Sequence, residues 1–309
     1  MTSTALVWLI TGTSSGLGRE LALAALERGE KVIATTRGKS MHKLDDLKEK
    51  GAHTLELEVT SSIDTLQEIA KQAVAIYGHV DVVVNNAGYC QAGTVEEVSV
   101  EETYDQYNTH VFASMNVSRA FLPYMRERRT GTIIFVGSVY GYIGEAAMGI
   151  YISSKWALRG LAMAMHEEIS PFGLRATCVD FGFFRTPILD PAQRAPEVYR
   201  IPEYKNVVDK IENKFKGKES AESLKMSPKK LTHYLYAAYN GKQPGDPRKG
   251  VRIIVDMIRG EGYAAGKTFP TGLCLGPDCY QMARESLEDT LARMEEWKDA
   301  TCSTNFDSD

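Results

Sequence analysis

Several things this sequence lacks narrow the field before any motif is read. Its five cysteines, at 90, 178, 274, 279 and 302, are odd in number and include no Cys-x-x-Cys pair. Neither a disulfide framework nor a zinc site is expected. The six histidines are scattered without a His-x-x-x-His spacing, so no metal is expected at all. No apolar run reaches the roughly 18 residues needed to span a bilayer. No basic segment precedes an apolar stretch at the start, so no signal peptide is expected either. Excess positive charge is also missing: the formal net charge is -4. Nucleic acid and membrane surfaces are therefore not expected partners. Scarce, unpaired cysteine and the missing leader suit a reducing, cytoplasmic setting.

What is present suits one globular unit. The chain has 309 residues, 43% hydrophobic and 25% charged, which is enough apolar material for one large core. Residues 1–309 are read as a single domain. Short apolar runs, most of them with Val or Ile, at 5–11, 31–36, 54–58, 81–85, 132–137 and 175–180 alternate with helical patterns at 16–28, 62–77, 101–128 and 151–170. Nearly continuous apolar runs mark strands covered on both faces, and strand–helix alternation means a parallel sheet with crossover helices. The pattern loosens over residues 190–250, where a substrate lid is expected. The charges at 205–219 there read as a solvated helix face. A helix is expected at 247–259, a last strand at 267–275 despite Pro270, a C-terminal amphipathic helix at 278–298 and a flexible tail at 300–309.

Two groups of residues carry chemistry. The first is the turn of Gly12, Ser14, Ser15, Gly16, Leu17 and Gly18, between the first strand and the first helix. Glycine permits tight turns and close approach of a pyrophosphate, and the helix N-terminus offers unpaired N–H groups to anionic oxygens. The second strand ends in Thr35, Thr36 and Arg37 with no carboxylate. An acid there would accept from a free ribose 2′-hydroxyl and repel a 2′-phosphate, whereas Arg37 offers a charged fork to the phosphate. NADP(H) is the expected cofactor.

The second group is catalytic. Asn85, Asn86, Ala87 and Gly88 end the fourth strand, Ser138 follows the fifth, and Tyr151 and Lys155 lie four residues apart at a helix start. That step puts tyrosine and lysine on one helix face. An ammonium nearby favours the phenolate and brings the tyrosine toward useful acid/base strength.

With these motifs in this order, the chain resembles the short-chain dehydrogenase/reductase family, its one-domain branch, over roughly residues 5–190. A weaker likeness to microbial and fungal carbonyl reductases returns near Gly272–Asp278. The resemblance implies a Rossmann-type, doubly wound α/β fold with seven parallel strands. It implies that Ser138 orients a substrate oxygen and that Tyr151 exchanges a proton with it. Lys155 would grip the nicotinamide ribose and lower the tyrosine's pKa. Gly12, Gly16 and Gly18 would line the pyrophosphate, and Asn86, Ala87 and Gly88 would flank the adenine ribose. Thr186 would contact the cofactor. A homodimer is also implied.

Three positions depart from the family's pattern. His110 stands where relatives carry an asparagine, with Asn108 two residues earlier. Phe181 replaces a proline, and Glu58 an aspartate that meets the adenine. His110 is expected to serve as proton relay and to steepen the acid side of the activity profile, since imidazole ionises near neutrality. The pocket wall is expected from Tyr140, Tyr142, Phe183 and Phe184, joined by Tyr89, Ile143, Met148, Ile188 and Leu189. Such a wall fits a bulky hydrophobic small molecule. The expected activity is hydride transfer to or from a carbonyl or secondary alcohol. The alternatives are the same fold with drifted chemistry (cyclisation, isomerisation or dehydration) and a non-catalytic nucleotide scaffold.

Overall fold

The strand runs legible in the sequence assemble into a sheet whose middle is dry on both faces. Every side chain of β1 (Val7–Ile10), β4 (Val82–Asn85) and β5 (Gly131–Val136) is buried. In this computed structural model, which describes residues 4–190, 195, 196, 198, 200–215 and 241–306, seven parallel strands run in the order β3-β2-β1-β4-β5-β6-β7. The remaining strands are β2 (Lys31–Thr36), β3 (His53–Glu56), β6 (Leu174–Phe181) and β7 (Gly272–Leu275). The last strand begins beyond Pro270, shorter than the expected 267–275, because proline cannot donate to a ladder.

Helices cover both faces. One core, with Leu66, Phe121, Met125 and Leu158, lies under α3 (Ile63–Tyr77), α5 (Ala113–Arg128) and α6 (Gly149–Ile169). The other, with Trp8, Leu21, Ile254 and Ile258, lies under α1 (Gly16–Glu27) and α8 (Pro247–Arg259), which pack on each other. Between them in the chain come the short α2 (Asp45–Glu49), α4 (Val100–Tyr107) and α7 (Lys205–Phe215). The chain then closes with α9 (Pro277–Glu296) and α10 (Lys298–Cys302), which continues the C-terminal helix into the expected tail.

The single helix expected at 101–128 is broken. Ser99 caps α4 reciprocally with Glu102, and Asn108–Phe112 then widens into one π-helical turn before α5. Such single turns frequently mark functional sites, and His110 sits in this one. Winding outward in both directions from β1 and β4 makes the crevice between them the topological switch point, where open α/β sheets bind ligands.

Candidate active site

A cleft of about 900 Å³ runs along the carboxyl ends of the strands. At one end the glycine turn is held by its neighbours. Gly12 has φ +72°, and a Cβ there would lie 2.9 Å from the Ala87 Cα. The Asn86 amide donates to the carbonyls of Thr11 (2.8 Å) and Gly12 (3.3 Å). Thr11 Oγ1 accepts from the N–H groups of Asn86 and Ala87. Asn86 therefore fixes the turn with its own donors. Ser14, Ser15, Gly16 and Leu17 line the cleft beside Gly12, Ala87 and Gly88. Gly18 does not: it is buried against Asn86, where a Cβ would come within 2.3 Å of the amide nitrogen. It serves close packing rather than contact with a ligand. A helix N-terminus fronted by backbone with no Cβ in the way fits a dinucleotide's pyrophosphate.

Thr36, Arg37 and Glu58 line the far end of that trough. One Glu58 oxygen accepts from the N–H and the hydroxyl of Thr60. Lys39, Ser40, His42 and Lys43 also face the cleft, from the 3-10 turn Gly38–Leu44. Sequence reasoning missed them, although the basic run directly after the strand end was a usable signal.

At the other end three side chains converge. Ser138 faces the cleft beside Tyr151. Its N–H donates to Asp180 Oδ1 at 3.1 Å, and its Oγ accepts from the Tyr140 N–H at 3.2 Å. Lys155 Nζ donates to the Val136 carbonyl at 2.9 Å and lies 5.5 Å from the centre of the Tyr151 ring. Burial dominates their ionisation. It pushes the Tyr151 phenol above its ordinary value, against the pull of Ser138. It also lowers Lys155 to about 8, against the carboxyl of Asp180 and the thiols of Cys178 and Cys90. Burial sets the direction of the shift at Tyr151, with the Cys90 thiol adding to it. Tyr151 is a protonated phenol, and in that form it can donate.

His110 lies in the same wall, its ring centre 5.5 Å from that of Tyr151. Nε2 accepts from the Tyr89 N–H (3.2 Å) and meets the Gln106 amide (3.0 Å), while Nδ1 pairs with Ser154 Oγ (2.9 Å). A backbone N–H can only donate, so Nε2 carries no proton and Nδ1 does. Burial, with Lys155 adding to it, holds the imidazole well below its usual range. The expected titration of His110 near neutrality is therefore corrected: the ring is neutral and both nitrogens are engaged. Gln106 and Ser154 went unremarked in the sequence, although they lie four residues before His110 and one before Lys155.

The aromatic wall divides. Tyr140 and Phe183 pack edge to face at 6.1 Å and line the cleft with Tyr89, Met148, Ile188 and Leu189. Phe184 touches the cleft but packs edge to face on Phe181 at 5.0 Å within the core. Phe181 thus fills the place of a proline by packing. Tyr142 and Ile143 are corrections. Tyr142 is buried behind the wall, with the Arg159 guanidinium 3.6 Å above its ring and the Cys274 thiol donating to its hydroxyl. Thr186 lines the cleft beside Gly16.

Of the expected lid, residues 191–194, 197, 199 and 216–240 lie outside those described. The part that is described is tied down. Ala195 N donates to the Cys90 carbonyl, and the N–H groups of Arg200 and Ile201 donate to Glu97. Val208 and Ile211 of α7 pack with Cys90, Tyr140 and Met148. Among the described residues no helix is long and apolar enough to cross a membrane.

The family profile described as short chain dehydrogenase matches residues 6–197. "Oxidoreductase BOA17" of Botryotinia fuckeliana is 30% identical over 95% of this chain and 97% of its own length. The "NADPH-dependent pterin aldehyde reductase" of Arabidopsis thaliana is 36% identical over 59% of this chain and 76% of its own. A crystal structure of a short-chain dehydrogenase from Streptomyces avermitilis superposes with a TM-score of 0.81 at 32% identity, covering 98% of this chain and all of that one.

Proposed function

This chain belongs to the short-chain dehydrogenase family, and from that premise we propose that it is an NADP(H)-dependent oxidoreductase. It moves a hydride between the nicotinamide and a carbonyl or secondary alcohol of a bulky hydrophobic small molecule. The observation that carries this reading is the meeting of Ser138, Tyr151 and Lys155 in the same cleft as the glycine turn and the basic rim.

A bound nicotinamide supplies or accepts the hydride. Ser138 and Tyr151 hold the oxygen whose carbon reacts, both as hydroxyls. The Tyr151 phenol, kept protonated by burial, donates its proton as that oxygen gains charge, which suits carbonyl reduction. Lys155 places an ammonium beside the ribose site. Arg37, Lys39 and Lys43 support the phosphate-bearing cofactor, since charge-assisted contacts are the strong ones, and the NADPH-dependent relative agrees with this choice. The aromatic lining of Tyr89, Tyr140 and Phe183 excludes water around an apolar substrate. A homodimer in the cytoplasm completes the reading; Tyr104 of α4 and Trp156 of α6, both exposed, suit such an interface.

The test is single-turnover reduction of a panel of aryl and long-chain ketones with NADPH deuterated at the transferring carbon. Deuterium in the product alcohol is expected, with NADPH favoured over NADH. Product formation without deuterium would instead favour the drifted chemistry of cyclisation, isomerisation or dehydration. Cofactor binding with no turnover of any ketone would favour the scaffold.

A further inference from the structure

Behind Ser138 lies a cluster that the proposed reaction does not use. Three thiols surround Asp180. Cys178 Sγ donates to its Oδ1 at 3.4 Å, and Cys279 Sγ donates to its backbone carbonyl at 3.3 Å. Cys274 is its partner in the β6–β7 register, and the Cys274 thiol donates to the Tyr142 hydroxyl at 3.2 Å. Cys274 and Cys279 thus flank the same residue, and their thiols influence each other's ionisation. They are five residues apart, at the end of β7 and in the first turn of α9. Between them Gly276, at φ +102°, reverses the chain and Pro277 starts the helix. That turn brings both cysteines to Asp180.

The pair is asymmetric. Cys274 is partly exposed, whereas Cys279 is fully buried. Their mutual interaction lowers the Cys274 thiol to about 7 and pushes Cys279 up. The less buried residue is therefore the more readily ionised one, and the other is held as a thiol. This is the arrangement of an attacking and a resolving cysteine.

We propose that Cys274 and Cys279 form an oxidation site, in which a peroxide joins the two sulfurs as an internal disulfide behind the catalytic wall. The Cys274 thiolate attacks one peroxide oxygen. An S–O bond forms, the O–O bond breaks, and the departing hydroxide takes a proton, leaving a sulfenic acid. The Cys279 sulfur then attacks the Cys274 sulfur. The S–S bond forms, the S–O bond breaks, and the Cys279 proton leaves with the hydroxyl as water. Two thiols are oxidised and one peroxide is reduced to two waters. The disulfide removes the hydrogen bonds to Tyr142 and to the carbonyl of Asp180, the residue whose carboxyl holds the Ser138 N–H.

The experiment treats the full-length protein with hydrogen peroxide, alkylates it with iodoacetamide and maps tryptic peptides. The peptide spanning 268–284 contains Cys274 and Cys279 and no other cysteine. It should lose both alkyl groups and two hydrogens, and regain both alkylations when reduced first. Cys279→Ser should stall at a Cys274 sulfenic acid that dimedone captures, and Cys274→Ser should leave Cys279 a free thiol at the same dose. Two alkylated thiols after peroxide in the wild type would overturn the proposal. So would a Cys274 sulfinic acid beside an alkylated Cys279, or dimedone capture absent in Cys279→Ser. None of these readouts depends on the substrate or on turnover.

Discussion

The two ends of the cleft are built by different physics. The dinucleotide end is shaped by backbone: glycines where a Cβ would collide, a helix N-terminus, and one asparagine bracing the turn. Its charged groups lie at the solvent rim. The catalytic end is shaped by buried ionisable side chains of both signs, His110, Tyr151, Lys155 and Asp180, each pushed by burial toward its neutral form. Errors should therefore show as loss of affinity or fold at the first end, and as altered rates and pH profiles at the second.

The largest effect should come from Tyr151→Phe. It removes one hydroxyl from the catalytic end, so kcat should fall about 10²–10⁴-fold while thermal unfolding stays near wild type. Near-normal kcat measured with NADPH and a ketone would break the comparison at its centre.

Gly18→Ala tests the backbone end. The added methyl meets Asn86 and the Gly12 carbonyl at 2.3 and 2.7 Å. Overpacking of this kind costs about 1–3 kcal/mol, read as lowered denaturant stability together with weaker cofactor binding. Unchanged values for both would show that the turn yields.

Arg37→Ala should reduce the preference for NADPH over NADH by about ten-fold or more, since a hydrogen bond to a charged group is worth about 1.5–3 kcal/mol. Comparing dissociation constants for the two cofactors decides it, and residual preference would be assigned to Lys39 and Lys43 by a triple variant.

The pH profile sharpens the catalytic end. Burial raises Asp180 to about 6, and the ionised carboxylate is the form that accepts from the Ser138 N–H. Activity should fall as pH drops through about 6, and again as pH rises through about 8, where Lys155 loses its charge. For stability the sign is opposite on the acid side. A carboxyl whose folded pKa is raised contributes most below its unfolded pKa, and that contribution is lost as pH rises through about 6. Asp180→Asn should abolish the acid limb whatever its absolute rate. The smallest effect should be that of His110→Asn, which leaves the acid limb where it was because the imidazole is already neutral there. An acid limb that moved with His110 and ignored Asp180 would reverse the assignment.

Much of this was legible in the chain. The central strands were visible because a sheet covered on both faces demands unbroken apolar runs. Gly12, Gly16, Ser138, Tyr151 and Lys155 were visible because their chemistry depends on local spacing. Tyr142 was misplaced because sequence proximity to Ser138 says nothing about which side of the wall a ring falls on. His110 was located but misjudged: its partners Tyr89, Gln106 and Ser154 come from three separate segments. Gly18 had been read as a ligand contact, and it lies against Asn86 behind the turn instead.

By itself, then, the sequence determined the parallel sheet, its crossover helices, the glycine turn and the tyrosine–lysine pair, since hydrophobic period, turn chemistry and helix spacing are local properties. Only the tertiary structure decided the protonation of the site. Burial is a property of everything that packs around a group, and it raised Tyr151 and Asp180 and lowered His110. It likewise brought Cys274 and Cys279 together around Asp180, which no spacing rule for cysteines in the chain could have announced.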